Sequence, residues 1–171
     1  RFYTWTLQSH IDLAKAVWLD YCECKMIDTI AREPLWRHLI NYRCGTGHSV
    51  SFVGNVHEGP HALNSRNTTR MRPGMVVTDE PGVYETDLVG IRIENELVCV
   101  HKADNQYGTF LGFEPLMFVP IATSPILPGV LDKDEIAWLN DYHRQVFAKL
   151  APHLNDEERS WLAEKCAAIG C

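Results

Sequence analysis

The chain has 171 residues, 46% of them hydrophobic and 22% charged, with a formal net charge of −6 at pH 7. That length supports one compact domain with a buried core. The acidic balance, with no basic stripe interleaved with aromatics, argues against nucleic-acid binding, and no apolar run approaches the roughly 20 residues of a membrane-spanning helix.

Residues 4–19 (TWTLQSHIDLAKAVWL) place Leu7, Ile11, Ala14 and Trp18 at helical spacing, which predicts an amphipathic helix. Before it, RFYTWTLQSH lacks the basic-then-apolar pattern of a signal peptide; starting at Arg1 rather than Met suggests a processed protein or a piece of a longer one. Residues 26–38 (MIDTIAREPLWRH) predict a second helix, interrupted or ended near Pro34. NYRCGTGHSV is too rich in glycine and polar residues for a regular helix and predicts a loop leading into a short strand. RPGMVVTDEPGVYE reads as turn, strand, turn, with EPG ending the strand. In GIRIENELVCVHK, Ile91, Ile93, Leu97 and Cys99 fall on one face and Arg92, Glu94 and Glu96 on the other, the alternation of one long bent strand. TFLGFEPLMFVPI predicts a strand pair or a single long strand.

From about Asp132 the helical period returns in DKDEIAWLNDYHRQVFAKLAPHL and NDEERSWLAEKCAAI, and Asn155 with Glu158 three residues on predicts a capping box. Helices, a β-rich middle and helices again give an α+β fold, with helices covering a mainly antiparallel sheet. The six cysteines (Cys22, Cys24, Cys44, Cys99, Cys166 and Cys171) are irregularly spaced, with no pairs at zinc-finger distance. They read as free thiols of a reducing, cytoplasmic compartment.

Four polar positions stand out: His48 in GTGH, His57 in HEGP, Glu80 in DEPG and Glu94 in RIEN. Carboxylates with a single imidazole suit divalent Mn, Co, Zn or Fe. Glu80 sits where a strand breaks at Pro81-Gly82, and Glu94 on the polar face of the next strand, so the two can converge on one point. Taken singly each is weak, since a histidine in a glycine loop is more often structural and a glutamate on an outer strand face more often solvated.

Together the motifs carry more. The ordered set GTGH…NVHEGP…MVVTDEPGVY…GIRIENELV…FLGFEPLMFVPI has nine residues from His48 to His57 and fourteen from Glu80 to Glu94. It resembles the C-terminal part of the catalytic domain of aminopeptidase P, the Xaa-Pro aminopeptidase branch of the pita-bread metallopeptidases. The opening HIDLAKAVW…IDTIAREPLW and the tail WLNDYHRQVFAKLAPHLNDEERSWL resemble helices of the same branch, so nearly the whole chain is covered.

The resemblance implies a pita-bread (creatinase/aminopeptidase-like) α+β fold. Residues 1–171 would form the C-terminal portion of the catalytic domain, without that domain's first part or the N-terminal domain. It implies His48, Glu80 and Glu94 as metal ligands, Glu80 also moving a proton during catalysis. His57 would bind substrate and steady the tetrahedral intermediate, and Arg92 would support the substrate site. The implied cofactors are two divalent ions, Mn with Zn or Co as alternatives. The implied reaction is release of an N-terminal residue before proline, by a metal-bridging hydroxide, in a cytoplasmic homodimer.

Two aspartate ligands expected on a preceding hairpin are missing. Asp12, Asp20 and Asp28 lie in the wrong kind of sequence, so the chain alone is expected to be inactive. Cys44 stands where the family often has histidine, and Ser49 where it usually has glycine. Two alternatives remain: a prolidase cutting Xaa-Pro dipeptides, and a non-catalytic pita-bread module that binds protein partners.

Overall fold

Helix α1 spans Phe2–Ala14 in the computed structural model, which describes residues 1–170. Leu7 and Ile11 are fully buried on its inner face. The helix stops short of the predicted end, and Val17–Leu19 forms strand β1 instead. The error has a simple origin. A helical and an extended reading both bury Trp18, whose ring packs on Phe113 at 4.6 Å between centroids, and the pairing of β1 with a later strand decides the matter. Helix α2 covers Cys24–Trp36 with Pro34 inside its last turn, so the backbone bond that proline cannot donate is lost only near the end of the helix. Leu39, at φ 59°, then reverses the chain in the left-handed region.

Short strands β2 (Gly47–His48) and β3 (Ala62–Leu63) pair with each other. Strand β4 covers Val76–Asp79. Strands β5 (Gly82–Glu85) and β6 (Val89–Arg92) form a separate antiparallel hairpin. The long strand expected from Gly90 onward is two strands, because the chain bends at Ile93–Glu94 and changes sheets before β7 (Asn95–Asn105). Strand β8 covers Gly108–Pro115, and LMFVPI beyond it is not strand. The principal sheet is antiparallel in the order β1-β8-β7-β4. The alternation of β7 holds where it counts: Leu97 and Cys99 are buried. They join Leu13, Ile27, Leu63, Val77, Leu111 and Phe113 in one core between helices and sheet.

Two compact units divide the chain, and Phe118–Cys171 make up nearly all of the second. In that unit helix α3 (Lys133–Leu150) is followed by a 3-10 turn and helix α4 (Asp156–Lys165). Tyr142, Val146 and Leu162 form its core. The predicted capping box is present at Asn155 and Glu158, and a second one at Asp132 and Glu135. Asn155→Ala should therefore lower stability by about 1 kcal/mol, seen as faster amide exchange in the first turn of α4. Among the described residues no helix is long and apolar enough to cross a membrane. Cys22, Cys24, Cys44, Cys99 and Cys166 are free thiols; Cys171 lies outside the described residues.

Candidate metal centre

Strand pairing brings His48 beside Glu80. The N–H of His48 donates to Thr78 Oγ1 at 2.9 Å, Ser49 bridges Val77, and the N–H of Glu80 donates to the Thr46 carbonyl at 2.7 Å. This approach needs glycine at 47, where a Cβ would stand 1.7 Å from the Thr78 carbonyl oxygen.

The result is a separation of 3.2 Å between His48 Nε2 and Glu80 Oε1, with both side chains more than four-fifths buried. His48 Nδ1 lies 3.1 Å from the Ser49 carbonyl oxygen. A carbonyl only accepts, so Nδ1 carries a hydrogen, and in the tautomer with no second hydrogen Nε2 turns a lone pair toward the carboxylate. Two acceptors facing each other call for a proton or a cation between them. With metal–ligand bonds of about 2.0–2.2 Å, two donors on one ion stand roughly 2.9–3.5 Å apart. The observed pair fits one edge of such a coordination sphere.

Around this edge the polar groups are ordered. The Thr78 hydroxyl donates to Glu80 Oε1 at 2.9 Å. Arg92 pairs with Glu80 Oε2, donates to the Glu80 carbonyl at 2.7 Å and to the Tyr84 hydroxyl at 2.8 Å. The His57 ring lies 3.9 Å from that of His48, centroid to centroid, at a tilt of 49°. His48, His57, Glu80 and Arg92 thus form one cluster. Glu94 does not join it closely: it is exposed at the bend before β7. Among the described residues no three His, Cys, Asp or Glu side chains gather so as to hold a metal ion. The donors fit an edge of a site rather than a whole one.

Behind the edge lies a buried pair that sequence reasoning missed. Asp79 Oδ2 stands 3.1 Å from His10 Nδ1, both side chains fully enclosed. Burial pushes the Asp79 carboxyl up, His10 opposes this, and Glu80 and Glu94 push it further. The only sequence signal was a histidine beside Ile11 on the apolar face of α1.

A second network, also unforeseen, holds the loop that carries His48. Arg32 Nε donates to Asp28 Oδ2 at 2.7 Å, and the two other arms of the guanidinium reach the carbonyls of Tyr42 and Cys44, each at 2.9 Å. Asp28 Oδ1 accepts the Thr46 hydroxyl, which also meets the Tyr42 hydroxyl. Both Asp28 oxygens are therefore engaged within the fold. Here a signal existed: an aspartate and an arginine four residues apart on a helix, on the face that turned out to be buried.

The two departures noted in the sequence resolve locally. The Cys44 thiol donates to the Gly82 carbonyl at 3.6 Å. Among the described residues the non-glycine positions with positive φ are Leu39 and Asp87, so Ser49 carries no left-handed strain.

Residues 1–101 match the model of metallopeptidase family M24, and residues 109–169 match the C-terminal region of peptidase M24. Aminopeptidase P1 of Lotus japonicus is 39% identical over 98% of this chain, which covers 26% of that protein. The probable Xaa-Pro aminopeptidase P of Coprinopsis cinerea is 40% identical over 99% of the chain, which covers 28% of it. The chain therefore spans about a quarter of the length of these relatives.

The crystal structure of the X-prolyl aminopeptidase from Caenorhabditis elegans, a cytosolic enzyme with a di-nuclear active site, superposes with a TM-score of 0.91. It is 38% identical, and the match covers 98% of this chain and 28% of that one. The prolidase from Pyrococcus furiosus aligns over 67% of the chain and 31% of its own, with a TM-score of 0.55 and 27% identity. The near-complete superposition shows the α+β pita-bread fold, and with the family match over residues 1–101 it places the chain in metallopeptidase family M24.

Proposed function

We propose that this chain is part of the catalytic domain, its C-terminal portion, of a metal-dependent Xaa-Pro aminopeptidase. The observation that carries the proposal is the 3.2 Å approach of two acceptors, His48 Nε2 and Glu80 Oε1, which a divalent cation would resolve. Glu94 is the third ligand in this reading, and two divalent ions, Mn in the first instance, are the cofactors. When bound, such ions supply Lewis acidity at the scissile carbonyl.

The chain's own residues then divide the remaining work. Glu80, held by Thr78 and Arg92, is placed to move a proton. His57, beside His48, is placed to donate a hydrogen bond to a substrate oxygen, where preorganised donors matter most. Arg92 keeps Glu80 oriented and offers positive charge to the peptide. The substrate is a peptide with proline second, and the longer protein works as a cytoplasmic homodimer, as its resemblance to aminopeptidase P implies. Relatives named for aminopeptidase P, 39% and 40% identical over 98% and 99% of the chain, support the aminopeptidase over the dipeptidase.

Because Glu94 does not gather with His48 and Glu80 among the described residues, the 171-residue chain by itself should hold at most one Mn ion, weakly, and should not hydrolyse Xaa-Pro peptides. Elemental analysis after equilibration with Mn and dialysis tests this. His48→Ala should abolish the residual binding. Unchanged Mn binding in that variant would sink the ligand assignment, and two tightly held ions per chain would sink the half-site reading.

A further inference from the structure

Beside the loop that carries His48 lies a cavity of about 510 Å³ whose wall includes Arg32, Asn41, Arg43, Asn64, Ser65 and Arg66. Its charged and amide side chains offer mainly donors. The Asn41 side-chain oxygen already accepts from Arg32 at 3.2 Å and from the Trp36 indole at 3.1 Å. The Asn64 side-chain oxygen accepts from the N–H groups of Arg66 and Asn67, at 3.0 and 3.1 Å. Both amides therefore have only their NH2 groups left to offer, and those are donors.

The charges point the same way. Arg32 is nearly buried and already committed to Asp28. Arg43 and Arg66 are exposed and enter none of the ion pairs found among the described residues. No carboxylate side chain is among the residues lining the cavity. In a chain of net charge −6, a pocket walled by guanidinium and amide donors is a local reversal of sign.

Arg43 precedes β2 and Arg66 follows β3, so the antiparallel pairing brings the two segments to the same end of the pair, which the bond from the Thr46 N–H to the Leu63 carbonyl, at 2.8 Å, holds together. A ligand spanning them would tie the two segments at that end of the element that presents His48. We propose that this cavity is a binding site for a small oxyanion, the phosphate or carboxylate group of a small molecule. Guanidinium forks suit both groups, and charge-assisted bonds give such contacts their strength.

The test is independent of metal and of peptidase activity. Amide chemical shifts of the whole chain are followed during titration with sodium phosphate and, separately, sodium acetate, at ionic strength held constant with sodium chloride. Saturable shifts at Cys44, Gly45, Ser65 and Arg66 are expected with at least one anion. Saturation by phosphate alone assigns a phosphate group, and by acetate alone a carboxylate. The double variant R43Q/R66Q should weaken binding by about tenfold or more, with Tm in chloride unchanged, and each single variant should weaken it less. Absence of saturation with either anion, shifts that chloride reproduces, or wild-type affinity in the double variant would overturn the proposal.

Discussion

Gly47→Ala should be among the most damaging single-methyl changes available in this chain. The added Cβ would meet the Thr78 carbonyl oxygen at 1.7 Å and its carbon at 2.8 Å. Both are backbone atoms of β4, and β4 is fixed on its other side by β7. No rotamer change relieves that clash, so the strands must separate. Overpacking alone costs about 1–3 kcal/mol, and here the separation also removes the bond from His48 N–H to Thr78. We expect a loss of about 3 kcal/mol or more, with His48 drawn away from Glu80. Gly45→Ala is the matched control: its Cβ would find the Leu63 carbonyl oxygen at 3.6 Å, ordinary contact. Thermal unfolding of the two variants should differ sharply, and equal Tm values would contradict the close approach of β2 to β4.

Arg32→Ala should be of similar severity for a different reason. It removes one member of a buried ion pair whose side chains are 9% and 1% exposed, and it releases the carbonyls of Tyr42 and Cys44. Breaking such a pair typically costs about 3–5 kcal/mol, because the remaining charge is left buried. For a chain of this size that corresponds to a fall in Tm of roughly 6–20 °C. The double variant Asp28→Ala/Arg32→Ala should cost clearly less than the sum of the single changes, since neither leaves the other's charge stranded. Simple additivity in thermal or urea unfolding would show that the pair does not act as a unit.

Much of the fold could be read in the chain, for identifiable reasons. The capping box at Asn155 needed only two residues three positions apart. The buried face of β7 followed from alternation, because Leu97 and Cys99 face a core and their neighbours do not. What stayed hidden depended on partners distant in sequence. Trp18 satisfied a helical pattern and a strand pattern equally, and only Leu111, opposite it in β8, chose between them. The bend at Ile93–Glu94 leaves no composition signal, because the alternation runs through it unbroken. At the site, His48, His57, Glu80 and Arg92 were singled out by motif and lie together. Asp28 was weighed only as a metal ligand, and Arg32, His10 and Asp79 escaped notice, because each owes its importance to burial rather than to a motif.

The order of the principal sheet bears on how the chain acquires its fold. Among the described residues β1 pairs with no strand but β8, far along the chain, with Val17 opposite Gly112. In that register β1 stays without its mate while all the residues between the two strands are being synthesised. The loop closed by that pairing is long, and pairings of this kind slow folding. α2, by contrast, can form as soon as it leaves the ribosome, with Asp28 and Arg32 already on one face. Nascent-chain stalling experiments should accordingly find protease resistance appearing late and in one step, once β8 is available, rather than growing in proportion to length.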